Sequence, residues 1–254
     1  MAELQHAQGT AMAPTSAERE EILKLYEGLR VTDVSDGMDA VGLQDVGLMD
    51  NDIRPLWRDI DGFRHRIWGI AHTVRFVPTN KRAPVFATVE EHLQWKAQWY
   101  SDLSKGPIGK EIRAGDIIVI DAAGIDDCGP VGSSNTLGWL AAGARGAVTN
   151  GGARDTDELI KEQVPVYSRG VSRGIRPGRL EVESTNKPIT CGGVFVRPGD
   201  VVVADGDGVI VVPFEKAVAV AKAAIAIQEN DKKTRRRLYE RLNRPPDFTL
   251  TPRQ

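Results

Sequence analysis

The chain has only two cysteines in 254 residues, Cys128 and Cys191, which excludes a disulfide framework and any CxxC metal knuckle. Cys128 has no histidine close by in sequence, which argues against a thiol nucleophile. Long apolar runs are also missing. No segment suits a bilayer, and Met1 to Ser16 lacks the apolar core of a signal peptide, so the expectation is a cytoplasmic protein with no membrane partner. Neither sign of charge dominates: 33 Lys and Arg face 35 Asp and Glu, for a net charge of -2, which gives no broad electrostatic reason to expect nucleic acid as the main partner. The local exception, Lys232, Lys233, Arg235, Arg236 and Arg237, reads most simply as a solvated helix face. Histidines are scarce. His6, His65, His72 and His92 show no metal-ligand spacing, and His72, on an expected strand, reads as a satisfied structural residue rather than a ligand.

What is present suits a packed core, with 41% hydrophobic and 27% charged residues. The expected organisation is a flexible N-terminus over 1–15, a single α/β domain over 16–213, and a C-terminal helix and tail over 214–254. Thr15-Ser16-Ala17-Glu18 is a capping box that opens a helix over Ser16 to Leu29. Thr32 or Asp33 opens a second helix, ended by Gly42, and residues 51–62 form a surface connection. Gly69 to Val77 is an expected strand and Glu90 to Leu103 an expected helix, whose Trp95 and Trp99 either anchor it or line a pocket. Gly115-Asp116 with its apolar run to Asp121 is echoed by Gly199-Asp200 with its run to Asp205. The second copy continues through Gly206-Asp207-Gly208 into a hairpin, without the spacing or closing Glu of a calcium loop. Between the copies, helix (135–145), strand (147–149), helix (155–161) and strand (164–167) alternate, and β structure follows at 189–196. A last helix runs from Phe214 to Leu242, before Pro245-Pro246.

The candidate site is Gly151-Gly152-Ala153-Arg154-Asp155, one residue after the short stretch Gly146 to Thr149. The glycines allow tight backbone geometry, Arg154 offers a forked donor to a carboxylate, and Asp155 offers hard oxygen to a divalent cation. An Arg-Asp pair after a turn can equally be a helix start with a solvated ion pair.

Taken in order, several phrases resemble one family. They are Gly115-Asp116, Gly132, Gly143 to Val148, Gly151 to Asp155, Pro165-Val166-Tyr167, Gly192-Gly193-Val194, Pro198-Gly199-Asp200 and Ala204 to Val209. Between about Leu29 and Pro213 the chain resembles the class II 4-hydroxy-4-methyl-2-oxoglutarate aldolases and their regulator-of-ribonuclease-activity-A-like branch. The resemblance implies an α-β-β-α layered sandwich with a C-terminal helical extension, assembled as a homotrimer or hexamer with active sites between subunits. It implies a lyase dependent on Mg²⁺ or Mn²⁺ that acts on a small 2-oxo acid, by aldol cleavage, oxaloacetate-type decarboxylation or both. By position, Arg154 would hold the pyruvyl carboxylate and enolate oxygen, and Asp155 would be the metal ligand. The loop amides from Gly132 through Ser133 and Ser134 to Asn135 would receive a substrate carboxylate.

The resemblance breaks at one place. Those aldolases carry an acid where this chain has Ser133, and an unperturbed serine hydroxyl does not ionise near neutral pH. Asp126 or Asp127 is a candidate for the missing carboxylate, with turn formation as the competing and favoured role of both. Otherwise Ser133, Ser134 and Asn135 hydrogen-bond a more hydroxylated substrate or cap a helix, or the reaction needs only enolate stabilisation. Asp121 is a candidate neighbour of the site, or a strand-end residue that binds backbone. Other functional readings are a non-catalytic protein-binding regulator and a hydro-lyase or isomerase on a sugar-derived acid.

Overall fold

The computed structural model describes residues 14–105, 111–125 and 127–253. Asp126 and most of the N-terminal segment therefore lie outside the described residues. In chain order the elements are α1 (Ser16–Leu25), α2 (Val31–Ala40), β1 (Arg54–Pro55), β2 (Ile67–Pro78), α3 (Val89–Asp102), β3 (Asp116–Asp121), α4 (Ser133–Ala141) and β4 (Gly146–Ala153). They continue with α5 (Thr156–Lys161), β5 (Val166–Val171), β6 (Leu180–Thr185), β7 (Ile189–Cys191), β8 (Val194–Val196), β9 (Val201–Asp205), β10 (Gly208–Val212) and α6 (Ala217–Arg241).

Eight strands form one sheet in the order β1-β5-β4-β3-β2-β9-β10, with β6 also on β2. β2 to β5 run parallel, as the alternation of strands and helices predicts. β2 is long enough to hold two neighbours on one edge: Ile67 to Ile70 pair with β9, and Val74 to Pro78 pair with β6.

Successive residues of a strand face opposite ways, and here each face meets a different layer. Ile117 and Val119 of β3 enter a central cluster with Val148, Tyr167, Val202 and Val211, which β7 and β8 close with Ile189, Cys191 and Val196. Ile118 and Ile120 face outward under α4 and α5, with Trp139 and Leu159. On the other half of the sheet, Val201, Val203, Ile210 and Val212 lie under α1, α2 and α6. The layers are thus helix, sheet, sheet, helix, the two middle layers being halves of one curved sheet.

The Thr15 capping box forms as expected, but α1 stops at Leu25, and the chain turns through Gly28 at φ +70°. α4 begins two residues before its predicted Asn135 start: its cap is Gly132 and its first residue is Ser133, so neither Ser133 nor Ser134 caps it. β6 and β1 were not expected. β6 alternates only Leu180 and Val182 with charged neighbours, too short a run to stand out. α6 is less an extension than a core element over its first half, where Ala217, Val220, Ala221 and Ala224 are buried. Among the described residues, no helix is long and apolar enough to cross a membrane.

The repeated phrase folds the same way twice. Asp116 accepts from the backbone N of Arg113 at 2.8 Å and Asp200 from that of Arg197 at 2.8 Å. At the far ends of the strands, Asp121 accepts from Ala123 N at 2.9 Å and Asp205 from Asp207 N at 2.8 Å. The second copy then closes in the predicted hairpin, Asp205 pairing with Gly208. The first opens into the loop that carries the candidate site.

Candidate functional site

That loop returns to the end of β4, where Val131 bridges Ala153 and its carbonyl accepts from Arg154 N at 3.0 Å. Two glycines make the close approach possible. A Cβ on Gly129 would lie 2.8 Å from Arg154 Cγ, and one on Gly132 would lie 2.7 Å from Asp155 Oδ2. β4 has a register shift between Thr149 and Gly152, so Asn150 can turn inward, accept from Ala122 N at 2.7 Å and donate to Asp121 at 2.9 Å. Asp121 is therefore a strand-end residue bound to its neighbours.

Arg154 and Asp155 both face a cleft of about 470 Å³. Gly129, Gly132, Ser134 and Asn135 line it beside them; Lys96 and Tyr100 of α3 line it with Ser104, Lys105 and Arg176, which stacks on Tyr100, and Ile175 and Trp139 complete the lining. Asp155 adopts the left-handed conformation, φ 55° and ψ 43°, directly before α5. It accepts from Arg154 Nε at 3.2 Å and from the backbone N of Ser133 at 3.3 Å. The first-turn amides of α4 have no acceptor within the helix and so add positive potential beside the carboxylate. The lining side chains are four cations against one acid, which suits an anionic ligand.

The structure brings Gly132, Ser134, Asn135, Arg154 and Asp155 together at this cleft. Asp127 is placed elsewhere: it is not among the lining residues, and its carboxylate is paired with Arg173 at 2.7 Å, which holds its pKa below the ordinary carboxylate value. Ser133 turns its hydroxyl away from the cleft and donates to Glu162 at 2.9 Å. Glu162, which the sequence did not suggest, is thus the carboxylate that meets position 133. Burial pushes the Cys128 thiol up to about 11 and leaves it no nucleophilic role at neutral pH.

Trp95 and Trp99 anchor α3 rather than line the cleft. Trp99 is buried, donates from Nε1 to the Leu180 carbonyl at 3.1 Å and packs on Trp95. The residues one position further along, Lys96 and Tyr100, share the adjoining helix face and reach the cleft. His72 is buried as expected but not satisfied, because Nδ1 is 3.8 Å from Asp116 and Nε2 has no hydrogen-bond partner among the described residues.

Among the described residues, no three His, Cys, Asp or Glu side chains form a metal cage. One carboxylate facing a cleft is nevertheless a donor set that fits Mg²⁺ or Mn²⁺, since Mg²⁺ commonly keeps several waters and takes one or two protein carboxylates with substrate oxygens. Asp155 is the residue that would hold it.

Among known proteins, the chain is 34% identical over 132 residues to a protein of Halalkalibacterium halodurans named "Putative 4-hydroxy-4-methyl-2-oxoglutarate aldolase", covering 51% of this chain and 61% of that one. It is 26% identical over 196 residues to Protein DlpA of Legionella pneumophila, covering 77% of this chain but only 28% of DlpA. The crystal structure of Streptomyces coelicolor RraAS2, described as an unusual member of the RNase ES inhibitor RraA protein family, has the same fold, with a TM-score of 0.68 and 22% identity over 85% of this chain and 98% of that one. Residues 31–211 match the family described as RraA-like, Aldolase/RraA, and the chain belongs to that family.

Proposed function

We propose that the protein is an aldolase-type lyase that cleaves a small 2-oxo acid through a pyruvate-type enolate, with a divalent ion, Mg²⁺ or Mn²⁺, at Asp155. The observation that carries this reading is the placement of Arg154 and Asp155 side by side on a cation-rich cleft, on backbone that Gly129 and Gly132 leave room for. The ion, when bound, supplies Lewis acidity toward a keto oxygen. Arg154 has its Nε on Asp155, so its two terminal nitrogens are the ones available to a substrate carboxylate or to the oxygen that gains charge. The first-turn amides of α4 at Ser134 and Asn135 donate to the same anion.

Both candidate reactions move one electron pair into the enolate. In decarboxylation, the bond to the departing CO₂ breaks and its pair enters the enolate, with no alcohol proton to remove. In aldol cleavage, the 4-hydroxyl loses its proton as the carbon–carbon bond breaks, and the enolate carbon is then protonated. A relay for the first proton requires the Ser133 hydroxyl to rotate from Glu162 toward the cleft, with Glu162 as the carboxylate that finally takes the proton. The test is pyruvate release from 4-hydroxy-2-oxo acids and from oxaloacetate with Mg²⁺ or Mn²⁺; a folded protein that turns over none of them sinks the proposal. The regulator reading would gain if calorimetry found no affinity for either ion in the presence of oxalate.

A further inference from the structure

The cleft holds a cation that the lyase chemistry does not use. Arg176 follows β5 in a loop, is only 4% exposed, and lines the same cleft as Arg154 and Asp155. Its Nη1 is buried without a hydrogen-bond partner among the described residues, and no ion pair to it is present within them. Its Cζ sits 5.1 Å from the centre of the Phe76 ring and 5.0 Å from that of Tyr100. Burial lowers its pKa, and the Tyr100 side chain offsets this only in part. The two rings and the Tyr100 hydroxyl hold the group in place but leave Nη1 without the acceptor that a guanidinium loses on burial.

We infer that Arg176 is a specificity-determining residue that binds a second carboxylate of the substrate, at the α3 side of the cleft, while Arg154 holds the carboxylate next to the keto group. The inference rests on the lyase reading for which end of the substrate reacts, but not for the binding itself. Three features point to a carboxylate. The ligand must be anionic, because Lys96 adds a further positive charge on that side. The Phe76 and Tyr100 rings lie against the guanidinium, and a planar two-oxygen group matches the fork of its nitrogens. Finally, the buried unpartnered nitrogen gains its missing hydrogen bond only when such a group arrives.

The test compares 2-oxoglutarate, with two carboxylates, and 2-oxobutyrate, with one, by calorimetry in the presence of Mn²⁺. The native protein is expected to bind 2-oxoglutarate about 10- to 100-fold more tightly, the range for a charged hydrogen bond. Arg176→Gln should erase that preference and leave 2-oxobutyrate affinity unchanged. Arg176→Lys, which keeps the charge without the fork and guards against loss of folding in the first variant, should retain only part of it. No preference in the native protein, or an equal loss for both ligands in the variants, overturns the inference. Kinetics separate it from the lyase reading. Preference without turnover sinks the lyase and keeps the subsite; turnover of mono- and dicarboxylates with equal KM does the reverse. Where turnover is seen, Arg176→Gln should raise KM for the dicarboxylate with kcat nearly unchanged.

Discussion

The two sides of the cleft are built by different means. On one side, Gly129, Gly132, Arg154 and Asp155 sit where a parallel strand ends and two helices begin, and backbone hydrogen bonds set their positions. On the other, Lys96 and Tyr100 come from an exposed helix that Trp99 anchors, and Arg176 comes from a loop and stacks on Phe76 and Tyr100. Backbone-fixed groups suit bond making and breaking, where small displacements are costly, and side-chain-fixed groups suit selection among substrates. The comparison predicts that damage to the first side lowers kcat and damage to the second raises KM.

The largest effect is expected at the strand end. Arg154→Ala should lower kcat/KM by about 10²- to 10³-fold, the loss typical of one preorganised donor, and Asp155→Asn should match it while abolishing Mn²⁺ binding in calorimetry. Unfolding curves like the native one would confine both effects to chemistry. Next comes Glu162→Gln, which should cost aldol cleavage about 10²-fold and leave oxaloacetate decarboxylation near native, since only the first needs an alcohol proton removed. An equal loss in both reactions would remove Glu162 from proton transfer. Gly132→Ala tests the backbone itself. Its Cβ would lie 2.7 Å from Asp155 Oδ2, so the carboxylate must shift, and an about 10-fold rise in the Mn²⁺ concentration for half-maximal rate is expected in an activity titration.

The smallest effect lies away from both sides, at His72. Burial lowers its pKa, although Asp116 and Glu111 oppose the shift and Arg19 adds to it. The folded protein therefore takes up its proton at lower pH than the unfolded chain, whose histidine titrates near about 6.5. Stability from this group is present above that pH and is lost as pH falls through the depressed folded value. His65 is shifted in the same direction, so denaturant unfolding of His72→Gln should show a shallower acid limb rather than none. Activity at neutral pH should not change, which separates this core residue from the cleft.

The difference between the sides also explains what the sequence discloses. Arg154 and Asp155 are adjacent, follow two glycines and end an apolar strand, so their place at a site can be read directly. Trp95 and Trp99 are legible as an anchor because they recur at helical spacing, and that same face placed Lys96 and Tyr100 one step away. Arg176 belongs to an irregular loop with no period to read, and its importance comes from burial that only the fold reveals. Glu162 reaches Ser133 across 29 positions because α5 is under two turns long and sets its end beside the start of α4. Asp127 is the nearer acid in sequence, but Arg173, from the loop after β5, occupies it.

The left-handed backbone at Asp155 has a further consequence, for how this chain can drift. Among residues with a side chain, aspartate and asparagine are among the few that adopt that conformation readily. A glutamate would keep the charge and still be disfavoured by its own backbone. Mutation at this codon is thus filtered first by shape, and an asparagine that folds well but cannot hold a cation is among the nearest viable neighbours. From one such step, a lyase of this architecture could survive as a binding protein without any rebuilding of its fold.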